Sequence, residues 1–267
     1  MNSFEKGTAV QPVGDGRYRG DVQPGWRVVR GAHGGYISAI ILRALTSAQG
    51  DPTRTVRSFT THFLSAPEEG SVDIVTATER RGRSMTSMSA RLEQSGKTIA
   101  ISLAAFSSDR DGFAFDDAVM PEVAPPEDGF KVPSRGEGVP PFLGNFDMRW
   151  LIGGPPFSGS DKAEVGGWFR IDPPALADAP VVACLLDAWA PAIFPRATER
   201  VVCPTVDLTM HFRSPIPHPG AAPDDYYLGR FWSKMSRGGF FEEDGELWSR
   251  DGTLLAQSRQ LALALTV

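Results

Sequence analysis

The sequence predicts an α+β fold made of two similar repeats, each an α-helix packed on an antiparallel β-sheet, with the two sheets joined edge to edge. Three observations support this prediction. A strand-like segment, "TVRSFTTHFLSAP" at 55–67, has a second version, "CPTVDLTMHFRSPIP", at 203–217. An apolar stretch of helical length precedes each version. Alternating runs separated by hairpin turns follow each version.

The two versions keep their spacing at several places, as a true internal repeat must. The motif H-F-x-S that begins at His62 occurs again at His211, 149 positions later. Farther along, the Arg-Gly pair at 81–82 and the hairpin Gly96 both have matches 156 positions later. The difference between 149 and 156 indicates an insertion of 7 residues, for which the Pro-rich stretch "PHPGAAPDD" of the second repeat is a natural place.

Each repeat has one helix candidate ahead of its strands. The first is "HGGYISAIILRALTSAQG" and the second is "APVVACLLDAWAPAIF", which we expect to form a helix that includes Asp187 and is interrupted at Pro191. The strands that follow are joined by turns such as "QSGK" and "RDGT". A single helix covers only part of an open sheet, so joining two sheets removes exposed edges and buries both helices.

The predicted organisation is an N-terminal repeat at 1–110, a linker at 111–140 and a C-terminal repeat at 141–267. The linker region is rich in proline and acidic residues and shows little periodicity, which is typical of an extended surface connection. We expect the second repeat to open near "GNFDMRWLIGG" and to continue with a strand at "EVGGWFRI".

Composition limits the possible partners. The chain has 267 residues, 41% of them hydrophobic, and a net charge of -5, which disfavours binding to nucleic acid or to a membrane surface. No apolar run approaches the ~20 residues of a membrane helix. The N-terminal stretch shows no secretory signal, and the two cysteines, Cys184 and Cys203, lie in apolar surroundings. We therefore expect a cytoplasmic protein with free thiols.

Several common chemistries have no motif in this sequence. There is no G-x-S-x-G nucleophile motif, no phosphate-binding G-x-x-x-x-G-K-[ST] loop and no dinucleotide-binding G-x-G-x-x-G. The four histidines show no metal-ligand spacing with each other or with the cysteines. We expect neither a metal nor a cofactor.

Asp187 is the strongest single candidate for a functional residue. It is the one charged residue between Val181 and Phe194, and a carboxylate in such apolar surroundings must face a cavity, pair or take up a proton. The alternative is that curvature of the helix lets Asp187 reach water. Gln260 lies in a row of small side chains that leaves room for a ligand, although Gln257 is an equal candidate on this evidence. Thr205, on the polar side of its strand with Asp207, is ordinary for a strand.

Taken together, these segments resemble the acyl-CoA thioesterase II (TesB-like) family, which has the double hotdog fold. The resemblance covers almost the whole chain apart from the linker and the first dozen residues. It depends on "HGGYISAIILRAL" and "SFTTHFLSAP" in the first repeat, and on "LLDAW", "PTVDLTMHFRSP" and "DGTLLAQSRQ" in the second. It implies an enzyme that hydrolyses acyl-CoA without a cofactor and that assembles into a homo-oligomer.

The resemblance also implies the catalytic residues. In this family an aspartate, a threonine and a glutamine of the second hotdog hold the attacking water, and they match Asp187, Thr205 and Gln260. The repeat spacings place Val56 and Ala104 at the positions equivalent to the last two. Neither can bind a water, so we expect only the second repeat to be catalytic.

Two further pairs are predicted to bind the substrate. The backbone N–H groups of Gly34 and Gly35, where the first helix begins, can polarise the thioester carbonyl, although close packing is an equally good reason for this pair. Arg81 and Arg83, with Arg80, form the densest cationic cluster and are candidates for the CoA phosphates; a solvated hairpin is the alternative.

Two other functions stay open at this point. The hotdog cavity of an acyl-thioester binding protein would hold its ligand without hydrolysing it. A hotdog hydratase or dehydratase would need a paired histidine and acid, for which Asp207 and His211 are a poor match, roughly 13 Å apart along one strand face. Pro191 and the short segment after Asp187 depart from the family pattern. We expect them to change the shape of the acyl tunnel, and therefore the preferred chain length, more than the type of reaction.

Overall fold

The computed structural model describes residues 3–29 and 31–266. Within them, fourteen strands form one continuous sheet in which neighbouring strands are antiparallel, and two helices lie against it. This is the predicted α+β architecture of two helix-on-sheet repeats with a shared sheet.

The first repeat contains a short N-terminal helix, six strands and the first long helix. Their bounds are α1 Ser3–Gly7, β1 Gln11–Gly14, β2 Arg17–Val22, α2 Gly34–Gln49, β3 Thr55–Phe63, β4 Gly70–Arg81, β5 Met85–Gln94 and β6 Lys97–Ser107. The strands next to the helix alternate between buried and exposed residues, as in β2, because one face of the sheet is covered and the other is in water.

The second repeat follows the same plan. Its elements are β7 Phe130–Lys131, β8 Phe146–Ile152, β9 Ala163–Ile171, α3 Ala179–Leu185, β10 Val201–Val202, β11 Thr205–Phe212, β12 Tyr227–Ser233, β13 Ser236–Arg237, β14 Phe240–Trp248, β15 Leu254–Leu263 and β16 Leu265–Thr266. The strands predicted at "GNFDMRWLIGG" and "EVGGWFRI" are confirmed as β8 and β9. β10 and β16 form a separate two-stranded sheet.

The strand order shows the internal symmetry of the sheet. Across the sheet the order is β1-β2-β4-β5-β6-β3-β11-β15-β14-β12-β9-β8-β7, with β13 added beside β14. Counted outward from the central pair β3–β11, strands β6 and β15 are equivalent, then β5 and β14, then β4 and β12. The two repeats therefore meet edge to edge through β3 and β11, as predicted.

Residue pairing at this junction confirms the spacing found in the sequence. Thr60 on β3 pairs with Thr209 on β11, and these two residues are themselves equivalent, since 209 − 60 = 149. Their hydroxyl oxygens are 3.0 Å apart and hydrogen-bonded. The local two-fold axis that relates the repeats therefore passes through this pair. Along β6 and β15 the spacing is 156, because Phe59 pairs with Ala104 where Leu208 pairs with Gln260.

A β-bulge at the start of the central strand occurs in both repeats. It lies between Thr205 and Asp207 on β11, and between Val56 and Ser58 on β3. A bulge adds one residue to the strand and reverses which face the preceding residue occupies. Thr205 pairs with Ala262, which is 1% exposed, so it is on the covered face. The prediction that Thr205 shares the polar face with Asp207 was wrong for this reason.

The helices differ in length. Helix α2 runs for 16 residues, is capped by the side chain of His33, and ends at Gly50, which adopts the left-handed conformation of a C-cap at φ 70°. Helix α3 ends at Leu185, so the prediction that Asp187 lies on this helix was wrong. The backbone N–H groups of Asp187 and Ala188 donate to the carbonyls three residues earlier, a tighter turn that is typical of a helix end.

The predicted linker lies partly against the second repeat. Residues 108–125 have neither helix nor strand, but Trp168 of β9 donates its indole N–H to the carbonyl of Ala124 at 2.9 Å. Strand β7 then adds an edge to β8. Among the described residues, no helix is long and apolar enough to cross a membrane.

Candidate active site

Asp187 lies at the junction of the two helices, just after α3 and against the first turn of α2. Its side chain is 13% exposed, and its Oδ2 accepts a hydrogen bond of 2.6 Å from the backbone N–H of Gly35. The first N–H groups of a helix lack partners within the helix and carry positive potential, so they bind a carboxylate well. The start of α2 thus fixes one carboxylate oxygen of Asp187.

His33 holds the same junction from the other side. Its Nδ1 accepts from the backbone N–H of Tyr36 at 3.1 Å, so the proton is on Nε2, which donates to the carbonyl of Asp187 at 2.7 Å. In a longer helix that carbonyl would accept from residue 191, but Pro191 has no N–H. Pro191 therefore leaves the Asp187 carbonyl free for His33, and the end of α3 is tied to α2.

Little space is left for a side chain at the two positions that begin α2, and Gly35 is the more restricted of them. A Cβ on Gly34 would lie 2.9 Å from Asp187 Oδ2, and one on Gly35 would lie 2.8 Å from the carbonyl of Cys184. The second contact is with backbone, which cannot move aside cheaply. The pair therefore allows the close approach of the two helix ends, the packing role that the sequence left open.

The surroundings of Asp187 raise its pKa. Burial has the largest effect because it disfavours the charged form; His33 and the N–H of Gly35 oppose it. The raised pKa makes Asp187 a stronger base than an exposed aspartate, which suits it to proton transfer.

Thr205 and Gln260 are neighbours on the covered face of β11 and β15. Thr205 Oγ1 donates to Gln260 Oε1 at 2.8 Å, and Gln260 is 9% exposed. The row of small residues around Gln260 lies on the covered face, since Ser258 and Ala262 are buried on either side of it. Gln257 lies on the opposite face and accepts from Arg213, so it does not share this surface.

Glu243 completes this group and was missed in the sequence. It is 5% exposed, and its Oε1 accepts from Gln260 Nε2 at 2.6 Å. On β14 it lies on the same face as the buried Phe241 and Leu247, and this alternation in the sequence could have shown that Glu243 is buried. It stands among three consecutive acids at 242–244, a pattern typical of a solvated surface, and this hid the inward position.

Glu243 also connects the two groups of side chains. Its Oε2 accepts from the backbone N–H of Ala192, in the segment that follows Asp187, at 2.5 Å. Burial, with a smaller contribution from the charge of Asp187, raises the pKa of Glu243 to about 7 against the opposing hydrogen bonds from Ala192 and Gln260. The buried carboxyl groups of Asp187 and Glu243 are therefore electrostatically coupled, because the charge of Asp187 disfavours ionisation of Glu243.

The cysteines do not have the properties of nucleophiles. Burial raises the pKa of the Cys203 thiol to about 12, and it raises that of Cys184 well above the usual range. Thiols of this kind stay protonated and unreactive near neutral pH. Over residues 3–29 and 31–266, no group of three or more histidine, cysteine, aspartate or glutamate side chains could hold a metal ion.

The predicted substrate-binding residues have different surroundings from those expected. The N–H of Gly35 is already donated to Asp187, so it is not available to the substrate carbonyl in this structure. Arg81 and Arg83 are exposed beside the segment after α2, where Arg54 donates to the carbonyl of Arg83. Helix α2 is about 24 Å long, and these arginines are at the opposite end from Asp187.

The residues of the hydratase alternative do not form a pair. Asp207 lies opposite His62 on the neighbouring strand, and His211 is exposed on the outer face. Among the described residues no hydrogen bond joins Asp207 to His211. The acid and the histidine needed for that reaction are therefore not assembled on β11.

Comparison with known proteins identifies the family of both repeats. Residues 22–107 match the acyl-CoA thioesterase N-terminal domain, and residues 118–264 match the acyl-CoA thioesterase C-terminal domain. An uncharacterized protein of Mycobacterium tuberculosis is 27% identical over 273 aligned residues, which cover 92% of this chain and 90% of that protein.

Solved structures show the same fold over the whole chain. A hot dog fold protein of unknown function from Alicyclobacillus acidocaldarius is 26% identical, with a TM-score of 0.86 over 100% of this chain and 99% of the other. A putative thioesterase II from Thermobifida fusca is 26% identical, with a TM-score of 0.84 over 99% and 98%.

An acyl-CoA thioesterase II, TesB2, from Mycobacterium marinum is 21% identical, with a TM-score of 0.79 over 99% of both chains. The double hotdog fold predicted from the sequence is confirmed. With both of its repeats matched, the chain belongs to the acyl-CoA thioesterase family.

Proposed function

We propose that this protein is an acyl-CoA thioesterase that hydrolyses an acyl-CoA to the free acid and CoA. The observation that supports this most directly is the inward-facing hydrogen-bonded pair Thr205–Gln260, on the same repeat as the buried carboxylate of Asp187. The equivalent positions of the other repeat hold Val56 and Ala104, so the polar pair is specific to one of two otherwise similar surfaces.

The direction of the hydrogen bonds is suited to holding a water. Thr205 donates to Gln260, and Gln260 donates one N–H to Glu243. A lone pair of Thr205 Oγ1 and the second N–H of Gln260 then remain for a ligand. A water that accepts from Gln260 and donates to Thr205 keeps one hydrogen for Asp187 and one lone pair for attack.

In the proposed reaction Asp187 is the general base. The water oxygen forms a bond to the thioester carbonyl carbon while Asp187 takes its proton; the C–S bond then breaks, and the proton passes to the departing thiolate. A thiol has a pKa of about 8.5, so its departure needs little help from an acid. An oriented water and a stabilised oxyanion are the main requirements.

Stabilisation of the oxyanion is assigned to the start of α2. Since the N–H of Gly35 binds Asp187, the N–H of Gly34 is the proposed donor to the carbonyl oxygen. A cavity of 390 Å³ lies beside this end of the helix and includes Ala32, which precedes the capping His33. Its described lining has a cation, Arg27, and two acids, Glu68 and Glu69. We propose that the substrate approaches from this side.

The test is release of free thiol from a panel of acyl-CoAs that differ in chain length. We expect steady hydrolysis of at least one of them. A pure, folded protein that binds acyl-CoA and releases no thiol would instead be the acyl-thioester binding protein considered above. Assembly into a homo-oligomer stays a prediction that light scattering can measure.

A further inference from the structure

A second cavity lies at the opposite end of the helix pair from Asp187. It has a volume of 580 Å³, within the range of small-molecule sites, and lies between the C-terminal half of α2 and the start of α3. Its wall includes Val56 and Phe106, which are paired on β3 and β6 and are 6% and 1% exposed. Nothing in the proposed reaction uses this cavity.

The local two-fold axis relates this cavity to the candidate active site. The spacings of 149 and 156 make Val56 equivalent to Thr205, and Phe106 equivalent to Ala262. Asp178, which caps α3 and lines the cavity, corresponds to His33, which caps α2. The fold therefore forms the same concave surface twice, and on the central strand the first repeat has the apolar Val56 where the second has Thr205.

Two residues that line this cavity each have a shielded side-chain donor with no partner among the described residues. Gln49 is 3% exposed; its Oε1 accepts from the N–H of Asp51 at 2.9 Å, which fixes the amide so that Nε2 is the free group. Arg43 donates Nε to Thr8 and Nη1 to Asp178, but its Nη2 is buried without a partner. Buried donors are normally hydrogen-bonded, so these two indicate an acceptor that the chain itself does not supply.

The charges in the wall disfavour a dianion. Arg43 is paired with Asp178 and Arg54 with Asp51, so the four charged lining residues balance. A dianionic phosphate would meet both acids without a spare cation. A carboxylate needs only the two free donors. The apolar wall formed by Val56 and Phe106, extended by Ile216, suits a hydrocarbon chain.

We propose that this second cavity binds a carboxylic acid with an aliphatic chain. The carboxylate accepts from Arg43 Nη2 and Gln49 Nε2 after rotation of these two side chains toward the cavity, since both atoms are shielded in this structure. The chain lies against Val56, Phe106 and Ile216. The cavity has no equivalent of Thr205 or Gln260, so bound ligand is held and not hydrolysed. This site is independent of the proposed hydrolysis and would exist even if the protein released no thiol.

The test is titration calorimetry of the full-length protein with octanoate, and with octan-1-ol as a probe that lacks the carboxylate. We expect octanoate to bind and octanol to bind at least about tenfold more weakly, since a charge-assisted hydrogen bond is lost. Gln49→Met, which keeps the volume and removes the donor, should weaken octanoate binding about tenfold.

Two further variants separate this cavity from the active site. Ser47 is an exposed residue at the rim of the second cavity, and Ser47→Trp should block octanoate there without a change in the core. Thr205→Val changes only the equivalent surface of the second repeat and should leave octanoate binding unchanged. The proposal is overturned if octanoate does not bind up to its solubility limit. It is also overturned if Ser47→Trp has no effect, or if Thr205→Val alone abolishes binding. Should Gln49→Met fail to fold, Ser47→Trp decides.

Discussion

In the second repeat, the central strand places Thr205 beside Gln260 and above a buried Glu243. In the first repeat the equivalent positions hold Val56, Ala104 and Met88, all of them buried. Both strands have a bulge at the same point, so both backbones turn the same position inward. The shared backbone therefore forms the concave surface in both repeats, and a few side chains decide its chemistry.

The helices differ in the same way. Helix α3 ends at Leu185, so Asp187 follows it and lies against the start of α2. Helix α2 is longer, and its Arg43 forms an ion pair with Asp178, the N-cap residue of α3. One end of the helix pair thus has a carboxylate without a salt bridge to arginine or lysine among the described residues, and the other has a balanced ion pair. The first arrangement suits a base and the second suits binding.

The largest effect that tests this comparison is expected from Asp187→Asn. Removing the general base should lower kcat for the best acyl-CoA by about 100- to 10,000-fold, measured by thiol release. Asp207→Asn is the matched control, since Asp207 is the acid of the hydratase alternative and lies on the outer face of β11. Full activity in Asp187→Asn, or a large loss in Asp207→Asn, would contradict the assignment.

The next effect concerns stability and pH. The pKa of Glu243 is raised from 4.5 to about 7 in the folded protein, so the folded state holds its proton where the unfolded chain has lost it. The contribution of this group to the free energy of unfolding therefore falls as pH rises between those two values, by up to about 3 kcal/mol. Met88, its counterpart, has no such dependence.

Denaturant unfolding of the wild type and of Glu243→Gln at pH 5 and pH 8 measures this difference. The variant should gain stability relative to the wild type on going to the higher pH, because its amide does not ionise. A difference in unfolding free energy that is the same at both pH values would show that Glu243 titrates normally.

Thr205→Val gives the second repeat the surface chemistry of the first. It removes one hydrogen bond to the proposed water and should lower kcat about 10- to 100-fold. Thr205 and Gln260 share a hydrogen bond, so the double variant with Gln260→Ala should lose less than the product of the single losses. Thr209→Val, on the same strand at the two-fold axis, is the control and should keep the wild-type kcat.

Glu243→Gln should have the smallest kinetic effect, a loss of about tenfold in kcat. A glutamine at 243 can accept from Ala192 only if its amide donates toward Gln260, which must then rotate its own amide. Gln260 would donate to Thr205 instead of accepting from it, and the water would lose its oriented partners. Asp244→Asn, the next residue on the strand, is the control; equal kcat in both variants would argue against a positioning role.

The architecture and most of the candidate site could be predicted from the amino-acid sequence alone. The two versions of the central strand and their spacing of 149 can be read directly from the order of the residues. In the structure, Thr60 and Thr209, which are 149 positions apart, pair across the two strands. The isolation of Asp187 in an apolar segment and the row of small residues around Gln260 are likewise local patterns. Local patterns are visible in one dimension because burial imposes a period on the residues.

Which side chains face one another could not be predicted from the sequence, because it depends on how distant segments pack. The bulge that turns Thr205 inward depends on pairing with β15, a strand about 50 residues later. Glu243 is on the covered face because β14 lies between β15 and β12, and no feature of its own acidic run shows this. The unpartnered donors of Arg43 and Gln49 lie beside a cavity between two helices from different repeats. Contacts between segments that are distant in the sequence determine these features. The type of a residue and its neighbours in the sequence do not show which distant residue it will contact.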